Sequence, residues 1–391
     1  MRKARVLVGA IAVATAVATL STAGSGGAAP SANSHRNAHS CTRASAGNAA
    51  CTAIRHETLT AAGKPVHHTT PSGYFPADIQ SAYQLAGLKS GNKTVAIVDA
   101  YDDPKAEADL GVYRSQFGLP ACTTANGCFR KVDQNGGTNY PSRNGGWAEE
   151  ISLDVDMVSA TCPDCRILLV EARSASFANL SAAVNYASSV PGVVAISNSY
   201  GGSDSPQLPA YNHPGIAITA STGDAGYGVE SPASFTTVVA VGGTTLKKAG
   251  NSRGWSETAW AGAGSGCSTQ NAKPSWQTSA TRCSGKANAD VSAVADPNTG
   301  VAVYDSFKYQ GYSGWLVFGG TSVSSPIIAS VYALSGNTSG YPASYTWGHA
   351  GSLNDVTSGS NGSCPTTVWC TAGSGWDGPT GLGTPRGTSA F

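Results

Sequence analysis

The feature that most constrains this chain is a series of short, unbroken apolar runs separated by helical stretches. Lys93-Thr94-Val95-Ala96-Ile97-Val98-Asp99 reads as a buried strand closed by a carboxylate. Arg166-Ile167-Leu168-Leu169-Val170, Val193-Val194-Ala195-Ile196-Ser197, Ile216-Ala217-Ile218-Thr219-Ala220 and Thr237-Val238-Val239-Ala240-Val241 read the same way. Helical patterns occupy residues 74–88, 147–160 and 177–188, and residues 304–318 predict a hairpin. Strands apolar on both faces, alternating with helices, predict an α/β fold with a mostly parallel central sheet and helices on both faces. No linker interrupts residues 73–391, so one large domain is expected there.

The N-terminus carries Arg2, Lys3 and Arg5, an apolar run over residues 6–20, and small residues through Ala29. That order predicts a secretory signal peptide over residues 1–29, cut after Ala23, Ala28 or Ala29. Residues 30–72 are rich in Ser, Ala, Asn, His and Thr. They read as a mobile, low-complexity segment or short propeptide, held at most by Cys41 and Cys51. Ten cysteines fall as five close sequence pairs, which suits disulfides in an exported protein and leaves their connectivity open. A net charge of +1 without a basic patch argues against a nucleic-acid partner. No later stretch is long and apolar enough to span a membrane. The expectation is a secreted, extracellular monomer with no membrane contact after signal cleavage.

Gly319-Gly320-Thr321-Ser322 forms a turn that opens a helix, with Pro326 close behind. Glycines permit the sharp turn, and Ser322 at a helix N-terminus sits where developing negative charge is favoured. Ser322 is therefore either a helix cap or a nucleophile, and a nucleophile needs a base. Histidine supplies none. His35, His39, His56, His67 and His68 precede residue 73, while His213 and His349 occur in loop-like contexts without a partner acid.

Carboxylates do better. At about 100° per residue, the 147–160 helix gathers Trp147, Ile151, Val155 and Val158 on one apolar flank and Leu153 and Met157 on the other. Glu149, Ser152 and Asp156 fall on the opposite side, which should face solvent. Glu150 and Asp154 fall between the apolar flanks, one turn apart. Two like charges facing a core tend to share a proton, which raises one apparent pKa. Asp224, in Ser221-Thr222-Gly223-Asp224-Ala225-Gly226, follows a strand end, where parallel-sheet proteins place chemistry; alone it would read as a turn residue.

Together these motifs resemble the sedolisins, serine-carboxyl peptidases with a subtilisin-like fold. The resemblance runs from about Gly73 to the C-terminus. It rests on Glu150-Ile151-Ser152-Leu153-Asp154, Gly223-Asp224 and Gly320-Thr321-Ser322 followed by Pro326. Supporting matches are Ser197-Asn198-Ser199-Tyr200-Gly201-Gly202, Val241-Gly242-Gly243-Thr244, Lys273-Pro274-Ser275-Trp276-Gln277 and the stretch from Asp290 to Pro297. The resemblance implies Ser322 as nucleophile, Glu150 as general base and then acid, Asp154 as its proton-sharing partner, and Asp224 as oxyanion donor. Asp224 must be protonated to donate, and a carboxylate base works where imidazole is already protonated, so an acidic pH optimum is expected. Asp99 matches the place where some members of the family extend the carboxylate chain, its other reading being a simple strand-end residue, and Tyr200 matches an aromatic position near the same network. Asp355, Val356, Gly373, Gly375 and Asp377 look like the family's calcium site, an all-oxygen set for one structural Ca2+.

One feature departs from that family. Its members carry a large folded propeptide, whereas residues 30–72 show no pattern for such a domain. The resemblance implies proteins or peptides as substrates. Two other readings are a catalytically inactive relative that binds extracellular partners, and a serine esterase. The esterase reading lacks a G-x-S-x-G elbow and a usable histidine.

Overall fold

The computed structural model describes Met1, residues 33–337 and residues 339–391. The expected signal segment, apart from Met1, lies outside the described residues. At the centre is an eight-stranded sheet. Its order is Trp255–Ala259, Val239–Lys248, Ala217–Ser221, Val193–Asn198, Thr94–Ala100, Arg166–Ala172 and Phe129–Asp133, with Val291–Val294 also pairing Val239–Lys248. Every pairing is parallel except that of Trp255–Ala259.

Strand pleating explains why the central runs are apolar throughout. Val95, Ile97, Ile167 and Leu169 point into one core, while Ala96, Val98, Leu168 and Val170 point into the other. The first core takes the helices Gly145–Thr161 and Thr321–Ser335, here the Glu150 helix and the Ser322 helix. The second takes Phe177–Ser189, capped by Ser176. Each fully buried Val, Ile or Leu in these layers contributes about 1.5–3 kcal/mol, which is why neither face tolerates a charge without a partner. The helix expected over residues 74–88 is confined to Pro76–Ala82. Gln84 turns to a positive φ of 56° and ends it.

Connections from Thr94–Ala100 build the sheet in one direction and those from Val193–Asn198 in the other. The carboxyl ends of these adjacent strands form a topological switch point, where open α/β sheets bind ligands. Asp99 and Ser199 lie there.

Two sequence expectations are corrected. Residues 33–59 are not held only by the Cys41–Cys51 disulfide. Ser34–His39 and Ile54–Leu59 form a four-stranded sheet with the hairpin Val301–Tyr309/Tyr312–Gly319, and Ala50–Cys51 pairs with Tyr200–Ser203. The supposed solvent side of the Glu150 helix is also buried, because this second sheet covers it. Asp156 Oδ2 accepts the Tyr304 N–H at 3.0 Å, and Glu149 pairs with the buried Arg55. Arg55 also meets Glu57 at 2.6 Å and stacks over Tyr312. Burial pushes the Glu149 carboxyl up to about 7, with the Arg55 charge drawing it back.

All ten cysteines pair with their sequence neighbours, as Cys41–Cys51, Cys122–Cys128, Cys162–Cys165, Cys267–Cys283 and Cys364–Cys370. Among the described residues no helix is long and apolar enough to cross a membrane.

Arg55→Met should lower the unfolding free energy by about 3–5 kcal/mol, because it strands the buried Glu149 and leaves Glu57 with Arg36 alone. Urea denaturation measures this. A loss under about 1 kcal/mol would mean that Arg55 does not anchor residues 54–59.

Candidate active site

Four carboxyl groups and one serine meet at the switch point, with Glu150 and Asp154 sharing one helix and Asp99, Asp224 and Ser322 each placed separately. Asn144 caps the Glu150 helix by accepting the Gly146 and Trp147 N–H groups at 3.1 and 3.2 Å. That start fixes the helical phase, so Glu150 and Asp154 face inward and are fully buried. Ser322 lies in the first turn of its helix, whose N-cap is Gly320 at φ 95°. A Cβ at Gly320 would collide with the Thr52 carbonyl oxygen and lie 2.6 Å from Asp224 Oδ2, so only glycine fits. Pro326 sits inside this helix and has no N–H for the Ser322 carbonyl four residues back. Ser199 Oγ contacts that carbonyl at 3.4 Å instead.

Ser322 is thus not the helix cap. Its Oγ donates to Glu150 Oε2 at 2.8 Å and lies 2.8 Å from Thr52 Oγ1. Glu150 Oε2 also accepts the Ala53 N–H at 2.8 Å. Asp154 accepts the Ser199 hydroxyl on both oxygens, at 2.8 and 2.9 Å. Asp224 Oδ1 accepts the Thr321 N–H at 2.7 Å and the Thr321 hydroxyl at 2.8 Å. Its Oδ2 is buried without a partner.

The electrostatics are one-sided. Among the described residues no Lys or Arg pairs with Asp99, Glu150, Asp154 or Asp224. Burial, then the Asp99 charge, hold Glu150 well above the usual carboxylate range, with the Ser322 bond pulling it down. Asp154 is raised by burial, then by Asp99 and Glu150. Burial takes Asp99 up to about 8, and both its oxygens lack partners. Asp224 also rises to about 8, chiefly through burial, against the Thr321 bonds and with help from Glu230. The cluster holds protons that isolated carboxyls would have lost by neutral pH.

Tyr200 stays beside this network without bonding it. Its hydroxyl donates to Asn198 Oδ1 at 2.7 Å and lies 3.0 Å from the Tyr211 hydroxyl. The histidines stay outside it. His349 bonds the Tyr345 carbonyl at 2.8 Å, and His35 and His56 stack on each other in the second sheet.

Sequence reasoning missed Thr52, Ala53, Ser199 and Glu230. Ser199 lies inside the Ser197–Gly202 motif already singled out. For Thr52 and Ala53 the only sequence hint is the neighbouring Cys51, and for Glu230 there is none.

The two C-terminal loops expected to hold calcium do converge. Gly375 N–H donates to Asp355 Oδ2 at 2.9 Å, and Gly373 N–H contacts Asp377 Oδ2 at 3.3 Å. Asp377 is buried and raised to about 7, first by burial, with Asp355 adding repulsion. Two carboxylates beside open glycine backbone fit a hard cation. They are two rather than three: no cluster of three or more His, Cys, Asp or Glu suited to a metal occurs among the described residues.

No family model matches the chain. Individual proteins do. Kumamolisin from Bacillus sp. (strain MN-32) is 30% identical over 364 residues, covering 81% of this chain and 63% of that protein. Sedolisin from Pseudomonas sp. (strain 101) is 34% identical over 176 residues, covering 40% of this chain and 29% of that one. The chain therefore spans less than two thirds of these relatives. Among solved structures, Pseudomonas sedolisin, a serine-carboxyl proteinase complexed with two molecules of pseudo-iodotyrostatin, superposes with a TM-score of 0.68 at 26% identity. That match covers 81% of this chain and 96% of the other. The parallel sheet and its flanking helices define an α/β protein of the subtilisin-like class. Within that class, the relatives it matches and the solved structure at 26% identity are sedolisins and their kin.

The raised carboxyls make stability depend on pH with a definite sign. Asp99 and Asp224 rise from 3.8 unfolded to about 8 folded. Below about pH 4 both states hold these protons and the stability is fully present. As pH rises towards about 8 the unfolded chain releases them first, and stability is lost. The melting temperature should fall across that window, and Asp99→Asn should flatten the fall. An Asp99→Asn curve parallel to wild type would show that Asp99 is not titrating as described.

Proposed function

We propose that this chain is a secreted serine-carboxyl endopeptidase that hydrolyses peptide bonds in proteins through an acyl-enzyme at Ser322. The observation that carries the reading is the 2.8 Å bond from Ser322 Oγ to Glu150 Oε2, made in a site where no histidine reaches the serine. Ionised Glu150 takes the Ser322 proton as Oγ attacks the substrate carbonyl carbon. Asp224, protonated, donates from Oδ2 to the oxyanion, while its Oδ1 is held by Thr321. Collapse of the tetrahedral intermediate breaks the C–N bond, and Glu150 returns the proton to the leaving nitrogen. Water then attacks the ester, with Glu150 again as base. Asp154 shares charge with Glu150 and is oriented by Ser199. Asp99 extends the same network, and Tyr200 borders it as packing.

The two ends of the pH profile have separate causes. Activity needs Glu150 ionised and Asp224 neutral, so it rises with the first ionisation in the Glu150/Asp154/Asp99 cluster and falls as Asp224 loses its proton. Release of a protein substrate exposes the site to water and brings both limbs down, which places the optimum in acid. The apolar N-terminal run and the disulfides support an extracellular address.

We also propose one structural Ca2+, held by the carboxylates of Asp355 and Asp377 and the carbonyls of Val356, Gly373 and Gly375. Bound there, the ion would neutralise Asp377 and close the C-terminal loops onto each other.

Casein hydrolysis should be strong at about pH 4, weak at about pH 7.5, and absent in Ser322→Ala. Asp224→Ala should lower kcat by about 10²–10³. Asp224→Asn keeps a neutral N–H donor at the Oδ2 position, so it should retain more activity and lose the alkaline limb. No casein cleavage at either pH would favour the inactive binding protein instead. Separately, Ca2+ at 100 times its Kd should stabilise the fold by about 2.7 kcal/mol, read as a melting shift that EDTA reverses and Asp377→Asn reduces. No shift would remove calcium from the account.

A further inference from the structure

The second sheet ends in an edge strand, Val301–Tyr309, and the outward N–H groups of an edge strand need cover. Here they are covered one after another. Ala302 N–H donates to the Tyr74 carbonyl at 2.9 Å, Tyr304 N–H to Asp156 Oδ2 at 3.0 Å, and Ser306 N–H to Asp109 Oδ2 at 2.7 Å. Asp156 belongs to the Glu150 helix and Asp109 to the helix Ala106–Gln116. Two helix carboxyls therefore hold the edge of the sheet, and Trp315 packs beside it against Tyr113, Phe117 and Tyr304.

We propose that Asp103, Asp109, Asp156 and Asp305 form an acid-operated latch, which holds the second sheet on the helices in acid and releases it near neutral pH. The latch concerns docking of the sheet and is independent of the peptidase reading above; only its effect on activity rests on that reading. All four carboxyls are buried, and among the described residues none of them lies in an ion pair. Asp305 Oδ1 accepts the Phe307 N–H at 2.7 Å, and Asp103 Oδ1 accepts the Lys105 N–H at 2.8 Å. Asp103 Oδ2, Asp156 Oδ1 and Asp305 Oδ2 are buried with no partner at all. An ionised oxygen in that position is costly, whereas a protonated one is not.

The charges that face this group from neighbouring elements do not neutralise it. Arg114, near Asp156, gives its donors to the Pro120 carbonyl, the Ser159 hydroxyl and the Pro163 carbonyl. Lys131, near Asp103, pairs with Asp102 and Glu171, and Asp102 adds its own repulsion. Lys105 acts on Asp109 from the exposed surface. Arg55 is committed to Glu149 and Glu57, and Glu149 is a further acid acting on Asp305. Tyr113, buried beside Asp156, carries no charge. Burial is the first cause that raises all four carboxyls, against the backbone N–H bonds that pull them down. Asp103 goes up to about 7, Asp109 rises, and Asp156 and Asp305 stand well above the usual carboxylate range. Undocked, the groups meet water and return to the ordinary 3.8, so docking takes up protons. The docked state is fully favoured below about pH 4 and loses that advantage as pH rises to about 7 and beyond.

Release reaches Ser322 because the same sheet carries it. Tyr312–Gly319 runs directly into Gly320, Thr321 and Ser322, and Ile54 and Arg55 pair with Gly319 and Phe318. A sheet that lifts off its helices no longer fixes where the Ser322 helix begins. The latch is thus a brake near neutral pH that is separate from the proton on Asp224. It acts from the outer side of the Glu150 helix, through backbone placement.

Hydrogen exchange read by mass spectrometry tests the latch on the full-length Ser322→Ala chain, which keeps proteolysis out of the readout. Intrinsic exchange rates are corrected at each pH. Protection of residues 301–319 should fall at least about tenfold per pH unit between about pH 5 and 7, the slope for one proton, while residues 95–98 and 167–170 stay protected. Adding Asp156→Asn and Asp305→Asn keeps both N–H acceptors but removes their ionisation, and should at least halve that slope. Where the double variant does not melt cooperatively at about pH 4.5, Asp109→Asn alone should flatten the fall by a smaller amount. Loss of protection in residues 301–319 and the central strands together, or variants that fall as steeply as the parent, overturns the latch. With Ser322 restored, the double variant should raise the ratio of casein hydrolysis at about pH 6.5 to that at about pH 4 at least about threefold. An unchanged ratio overturns the brake on Ser322. A wild-type chain that cuts no casein sinks the peptidase reading instead, and hydrogen exchange still decides the latch.

Discussion

The structure depends on keeping four carboxyl groups together without a cation. Asp99, Glu150, Asp154 and Asp224 come from a strand end, a helix and a glycine turn, and their charges repel. Burial in a site that excludes water would be prohibitive for four carboxylates, so the groups retain protons instead. Hydroxyls do the work that Lys or Arg does elsewhere: Ser199 on Asp154, Thr321 on Asp224 and Ser322 on Glu150. A hydroxyl can donate to an ionised carboxylate or accept from a neutral one, which lets the cluster change protonation without moving its atoms. Arg55, a buried guanidinium, is committed to Glu149 and Glu57 on the outer side of the same helix.

Backbone features set the distances that this chemistry needs. The parallel strands fan towards the switch point and leave Asp99 and Ser199 on adjacent carboxyl ends. The Ser322 helix is tied to the sheet by Ser325, whose hydroxyl meets Thr219 at 2.9 Å and Ser197 at 3.0 Å. Pro326 then frees the Ser322 carbonyl for Ser199, so the residue that bonds Asp154 also touches the backbone of Ser322. A helix interior normally excludes proline. Here the lost backbone bond is replaced by a contact from the site itself, which couples Ser322 to the Asp154 side of the cluster.

How much of this was legible in sequence follows from how local each signal is. The central strands could be read because both their faces are buried, and the inward placement of Glu150 and Asp154 followed from helical period alone. The wheel failed for Glu149 and Asp156 because period cannot reveal a second sheet on the helix's outer side. Phe129–Asp133 was missed because, at the sheet edge, FRKVD carries exposed charge and lacks the apolar run. Residues 33–59 were misread for a related reason. Their burial comes from long-range pairing with Tyr200–Ser203 and Tyr312–Gly319, and composition carries no record of such partners. The four proposed catalytic positions were recoverable, since each sits in a short motif. The residues that complete their surroundings were not.

The strand through the site also changes what the carboxyl pKa values mean. Thr52 and Ala53 contact Ser322 and Glu150 directly, and Thr52 packs beside the Asp224 turn. They supply part of the burial that raises Glu150 and Asp224, so those shifts belong to the occupied cleft. A cleft without that strand would admit water, and desolvation, the largest cause of both shifts, would weaken. Glu150 and Asp224 then both ionise at lower pH, and a peptide strand that dries the cleft again raises both together. The two groups still differ in what they bond: Glu150 Oε2 accepts the Ser322 hydroxyl and the Ala53 N–H, whereas Asp224 Oδ1 is held by Thr321 and its Oδ2 has no partner.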